Sequence, residues 1–142
     1  MPHIVVLYTA NLDDATPTTG ASADIGRLCR SLADALLTVR DEAGAQVFPT
    51  GGVRVLAYPA AHFAVADGSV ADAGFVYITL RMARGRSAAV QQATGAALQA
   101  ATAAHFGPLL AERRFGLTLQ IDEGPEVFDA KLGNLHPLFA RP

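Results

Sequence analysis

A single cysteine, no tryptophan and little charge set the limits of this 142-residue sequence. One Cys excludes an internal disulfide, and a lone Cys with four scattered His lacks the repeated spacing of a zinc site, so no metal is expected. Only 17% of residues are charged, 11 Lys plus Arg stand against 13 Asp plus Glu, and the net charge is -2. Without a global positive field, nucleic acid is not an expected partner. No apolar run approaches the roughly 18 residues that span a bilayer, and no basic segment precedes an apolar one at the start of the chain. The expectation is a soluble, cytoplasmic protein with no membrane partner. No Ser or Cys stands in a nucleophile elbow, and Gly51-Gly52 or Gly85 alone builds neither a phosphate loop nor a dinucleotide fingerprint. Hydrolase chemistry has no support, and no cofactor is expected.

What is present is apolar. Hydrophobic residues make up 51% of the chain and mean hydropathy is +0.26, too apolar for a disordered chain. The length suits one domain over residues 1–142. Pro2 to Tyr8 is β-branched and aromatic and reads as a strand, ending at the polar stretch Thr9 to Gly20, which includes Pro17. From Ser22 to about Arg40, the apolar positions Ile25, Leu28, Cys29, Leu32, Leu36 and Val39 recur at helical steps, and Cys29 reads as a core thiol. Val53 to Tyr58 reads as a second strand stopped by Pro59, and Ala66-Asp67-Gly68 as a tight turn with room for short flanking strands. Phe75 to Leu80, extendable to Met82, carries the strongest β signal. Ser87 is the expected N-cap of an Ala-rich helix to about Glu112, followed by a strand over Phe115 to Ile121 and an irregular tail.

The order is β-α-β twice, about 2–58 and 74–122, with Val5-Val6-Leu7-Tyr8 echoed in kind by Val76-Tyr77-Ile78-Thr79. Right-handed crossovers put both helices on one face of a four-stranded mixed sheet, an α+β fold whose second face is bare. A bare apolar face predicts packing against copies of the same chain.

Three places carry candidate chemistry. Pro2 follows the initiator Met, and removal of Met1 would expose a secondary amine; a free α-amino group titrates at about 7.7 to 8.0, and nearby cations lower it toward a useful general base. A Met-Pro start with no role is the plainer alternative. Arg54 interrupts an apolar strand, which calls for an anionic partner or for an edge position where it reaches water. Arg81, Arg84 and Arg86 crowd the turn before the second helix, where free amides also favour anions; together they suggest a carboxylate site, with a solvated turn as the alternative for Arg81 and Arg84. The His residues, at 3, 62, 105 and 136, show no pairing.

Several segments in this order resemble a family: Met1-Pro2-His3, Ala66-Asp67-Gly68 before Phe75-Val76, Thr79-Leu80, Gly85-Arg86-Ser87 with Gln91-Gln92, His105-Phe106, and Asn134-Leu135-His136-Pro137-Leu138-Phe139. The sequence is similar to the 5-carboxymethyl-2-hydroxymuconate delta-isomerases of the tautomerase superfamily over nearly its whole length. The resemblance implies a cofactor-independent isomerase of aromatic catabolism that shifts a proton in a dienol dicarboxylate or tricarboxylate to give the 2-oxo isomer. It implies Pro2 as base and acid, Arg54 and Arg86 on the substrate carboxylates, and a homotrimer with the sheets facing inward. Two departures stand out. Leu56 occupies the position of a second family arginine, for which Arg81 and Arg84 are the candidate replacements, and the segment from Leu12 to Gly20, near the expected mouth, is unlike the family. Other readings are a phenylpyruvate-type or halo-acrylate chemistry on the same fold, or a non-catalytic binding module in which Met1 is retained and Pro2 has no basic nitrogen.

Overall fold

The computed structural model describes residues 1–15 and 22–139. Four strands form one sheet: β1 (His3–Thr9), β2 (Arg54–Ala60), β3 (Gly74–Ala83) and β4 (Phe115–Gly124), with α1 (Ile25–Thr38) joining the first pair and α2 (Ala88–Leu110) the second. The spatial order is β2-β1-β3-β4. The outer pairs run parallel and the central pair antiparallel, so two β-α-β units meet along β1 and β3.

Strand alternation divides the sheet into two unlike faces. Ile4, Val6, Ile78 and Leu80 point to the helices and are fully buried with Leu28, Leu32, Leu98 and Phe106. On the other face, Leu7, Leu56 and Tyr58 remain 49%, 54% and 50% exposed in the single chain. This is the uncovered apolar face anticipated from the two crossovers.

The helices begin where side-chain caps satisfy free amides. Asp24, in the left-handed region at φ 47, accepts from the Arg27 amide, so α1 starts three residues after Ser22. Ser87 accepts from the Val90 amide as expected, and such a cap contributes about 1 kcal/mol. The long α2 is apolar nearly all round, and its buried Thr94 and Thr102 hydroxyls donate to the carbonyls of Val90 and Leu98, each at 2.7 Å. Buried His105 is likewise satisfied, its Nε2 donating to Ala23 O at 2.7 Å. Cys29 is half-buried on α1, and desolvation raises its thiol pKa.

Two local expectations are corrected. Pro59 does not stop β2, which continues to Ala60 with Pro59 opposite Tyr8. As an edge strand, β2 turns one side away from any partner, and a missing N–H costs nothing there. Residues 61–73 carry no strand; Ala66 and Gly68 adopt positive φ in a turn instead. In the segment after β1, Leu12 joins the core, while Pro17 and the rest of 16–20 lie outside the described residues. The chain leaving β1 is held by buried Arg113, which donates to Asp14 O at 2.7 Å and Asn11 O at 2.9 Å and pairs with Asp72 at 3.1 Å.

Candidate active site

Register puts three basic side chains in one row. His3, the first residue of β1, is paired with Arg54 on β2 and with Arg81 on β3. Directly paired residues share a sheet face, so all three lie on the bare face at the end of the sheet where β1 begins. They line a cleft of about 860 Å³, together with Met1, Pro49 and the C-terminal tail from Glu126 to Pro137.

The tail closes over this end because it packs on bare backbone. A side chain at Gly51 would come within 2.7 Å of His136 Nδ1, and one at Gly52 would meet the Met1 sulfur at 3.5 Å. The same turn anchors Arg54, whose Nη1 donates to Gly51 O at 2.6 Å and Val53 O at 3.3 Å. Its remaining guanidinium donors have no protein partner among the described residues. Half-buried Arg54 therefore hooks onto its own turn and still faces the cleft. Opposite, Lys131 pairs with Asp129, which holds that carboxyl below the usual carboxylate range.

His3 is held below the ordinary histidine pKa, first by desolvation and then by the N-terminal ammonium, Arg54 and Arg81, with Asp129 opposing. Near neutral pH its imidazole is uncharged and offers one donor and one acceptor to the cleft. Pro2 is buried next to it at the start of β1. With Met1 in place its nitrogen is part of a peptide bond.

The expected arginines separate. Arg54 and Arg81 reach the cleft; Arg84 is exposed and Arg86 is elsewhere. The Arg86 guanidinium stacks 4.9 Å from the centroid of buried Phe48, and its Nη1 donates to Ala83 O at 3.0 Å. Within the single chain it braces the turn before α2 instead of lining the cleft. Leu56 lies on the same face as Arg54, two residues further along β2, and is half exposed.

A family model for 5-carboxymethyl-2-hydroxymuconate isomerase matches residues 2–139. The chain belongs to that family. A solved 5-carboxymethyl-2-hydroxymuconate delta-isomerase is 54% identical, covering 100% of this chain and 95% of that one, with a TM-score of 0.89. A solved isomerase from Deinococcus radiodurans R1 is 34% identical over 99% of this chain and 95% of its own, with a TM-score of 0.80. The Escherichia coli delta-isomerase is 27% identical over 139 residues, 98% of this chain and 99% of that protein. The doubled β-α-β is the tautomerase-superfamily fold.

Within this isomerase-family chain, sequence reasoning missed His3 and the tail. Nothing in the spacing of four separated His marks His3, because its neighbours Arg54 and Arg81 are brought in by register. The tail has no periodic pattern, and its place over the cleft depends on Gly51 of the Thr50–Gly52 turn, where a Cβ would collide with His136. Among the described residues, no three His, Cys, Asp or Glu side chains converge as a metal site, and no helix is long and apolar enough to cross a membrane.

Proposed function

We propose that this chain is a cofactor-independent tautomerase that converts 5-carboxymethyl-2-hydroxymuconate to its 2-oxo isomer, with Pro2 as the base and acid once Met1 is removed. The observation that carries the reading is the cleft at the start of β1, where two arginines without carboxylate partners among the described residues flank an uncharged imidazole beside Pro2. The Pro2 amine takes the 2-hydroxyl proton. The O–H electron pair becomes the C2=O π bond, the C2=C3 π electrons move to C3=C4, and the C4=C5 electrons take a proton at C5. Pro2 returns the proton it accepted, so the reaction is balanced without another reactant. Arg54 holds a substrate carboxylate and stabilises negative charge as it spreads through the dienolate, a role suited to a partly desolvated guanidinium. Arg86 serves the site by fixing the turn before α2.

The exposed Leu7, Leu56 and Tyr58 face supports assembly into a homotrimer. A fold neighbour described as a fused 4-OT symmetric trimer, 19% identical with a TM-score of 0.58, supports the same arrangement. A cytoplasmic setting within aromatic catabolism suits a chain with one unpaired thiol and a polycarboxylate substrate.

The test is the ultraviolet time course of the dienol with protein whose intact mass shows Met1 removed, beside a form that retains Met1. Rapid loss of the dienol band with the first and only spontaneous loss with the second is the expected outcome. Spontaneous decay with both refutes the assignment.

A further inference from the structure

We propose that Arg81 is the second carboxylate-binding residue of this cleft, a specificity determinant that faces the substrate from the side opposite Arg54. The inference rests on the isomerase reading for its substrate and on register for its geometry. Arg54 and Arg81 flank His3 from opposite sides in the same sheet row. With strands about 4.8 Å apart, their Cα atoms are separated by two strand spacings, roughly 10 Å, and forked side chains from both sides can grip separate carboxylates of one polyacid.

Three observations favour Arg81 over the other cations nearby. Its direct partner across β4 is a carboxylate, Asp122, yet no ion pair forms between them among the described residues. The guanidinium instead lies over the end of β4, where a Cβ on Gly124 would come within 2.6 Å of its Nη2. Gly124 thus leaves open the space that lets Arg81 lie at the cleft wall. Lys131 is already paired with Asp129, and Arg84 does not line the cleft. Glu126 and Asp129 border the same cleft, so an unpaired cation on the β3 side also offsets their repulsion of an incoming polyanion.

The experiment measures binding of propane-1,2,3-tricarboxylate, an unreactive probe, by calorimetry to assembled Met1-free protein, alongside KM and kcat for the dienol. Arg81→Gln is expected to raise both Kd and KM by about 10- to 100-fold, the loss of a charge-assisted contact, with kcat within about threefold. Gly124→Ala, which keeps the charge but occupies its place, is expected to raise Kd in the same direction. Arg81→Lys should recover part of the affinity, and Arg84→Gln should match the wild type. Sedimentation and circular dichroism establish that each variant is assembled and folded. Tricarboxylate binding by Arg81→Gln within about twofold of wild type overturns the proposal, as does a fall in kcat at unchanged KM or an absence of probe binding by the wild type. Should the wild type bind the probe but leave the dienol untouched, the isomerase reading fails while the Kd comparison still decides the role of Arg81.

Discussion

The two β-α-β halves present equivalent ends to solvent, and those ends have opposite character. Where β1 begins, Pro2 and His3 meet the start of β2 and the end of β3 around a cleft of about 860 Å³ with Arg54 and Arg81 on its walls. Where β3 begins, Gly74 and Phe75 meet the start of β4 and the end of β1, and the hollow there is about 200 Å³, with Arg114 as its cation. The second end is closed by packing. A Cβ on Gly74 would lie 2.8 Å from Leu12 Cδ2 and 3.0 Å from Thr9 Oγ1, which accepts the Phe75 amide. Duplicated topology therefore supplies two strand starts, and the side chains at the strand ends leave one of them open for chemistry.

That contrast can be broken most forcefully at the open end. Pro2→Ala, with Met1 removed, leaves a primary amine of different basicity and geometry, and a lost general base costs about 10²- to 10⁴-fold. Initial rates of dienol loss check this, and a variant within tenfold of wild type denies Pro2 the role. A mutation at the closed end should act on stability alone. Gly74→Ala overpacks the contact with Leu12 and Thr9 and is expected to cost about 1–3 kcal/mol in urea unfolding while kcat stays near wild type. Loss of activity in a folded Gly74→Ala protein would show that the two ends are coupled.

The smallest expected effect sharpens the electrostatics of the open end. His3 has its folded pKa below the unfolded value of 6.5, so the unfolded chain binds the extra proton first. Its contribution to stability is complete above that value and is lost as pH falls through the folded pKa. An NMR titration of the His3 imidazole should give a midpoint below 6.5, shifted upward in Arg81→Gln, which removes one of the cations that lower it. A midpoint at or above 6.5 in the wild type would place the arginine charges away from His3.

Much of the fold was legible in the chain. The helical spacing of Ile25, Leu28, Leu32 and Leu36 became the buried stripe of α1, and the β-branched and aromatic run Phe75–Leu80 became the central strand β3. The errors were local and had identifiable causes. Pro59 is a stop signal in a central strand and harmless on an edge, and sequence does not say which strand is the edge. Arg86 is a different case: it combines a basic side chain with a helix start, a pattern that suits an anion, and within the single chain Phe48, from the segment before β2, packs on its guanidinium face. Arg81 and Arg84 were equivalent candidates in one dimension. Strand alternation and the end of β3 separated them, putting Arg81 at the cleft and Arg84 in the exposed turn.

By itself, the sequence determined the elements, their doubled order and the presence of an apolar face without a cover, because periodicity and turn residues act over a few positions. It also carried the family resemblance, since ordered short motifs survive without reference to space. Only the tertiary structure decided which cations converge. His3, Arg54 and Arg81 are far apart along the chain, and they share one row because parallel pairing with β2 and antiparallel pairing with β3 bring their strand ends together. Register is set by the packing of the buried face, and shifting it by one residue would turn these side chains away from the cleft.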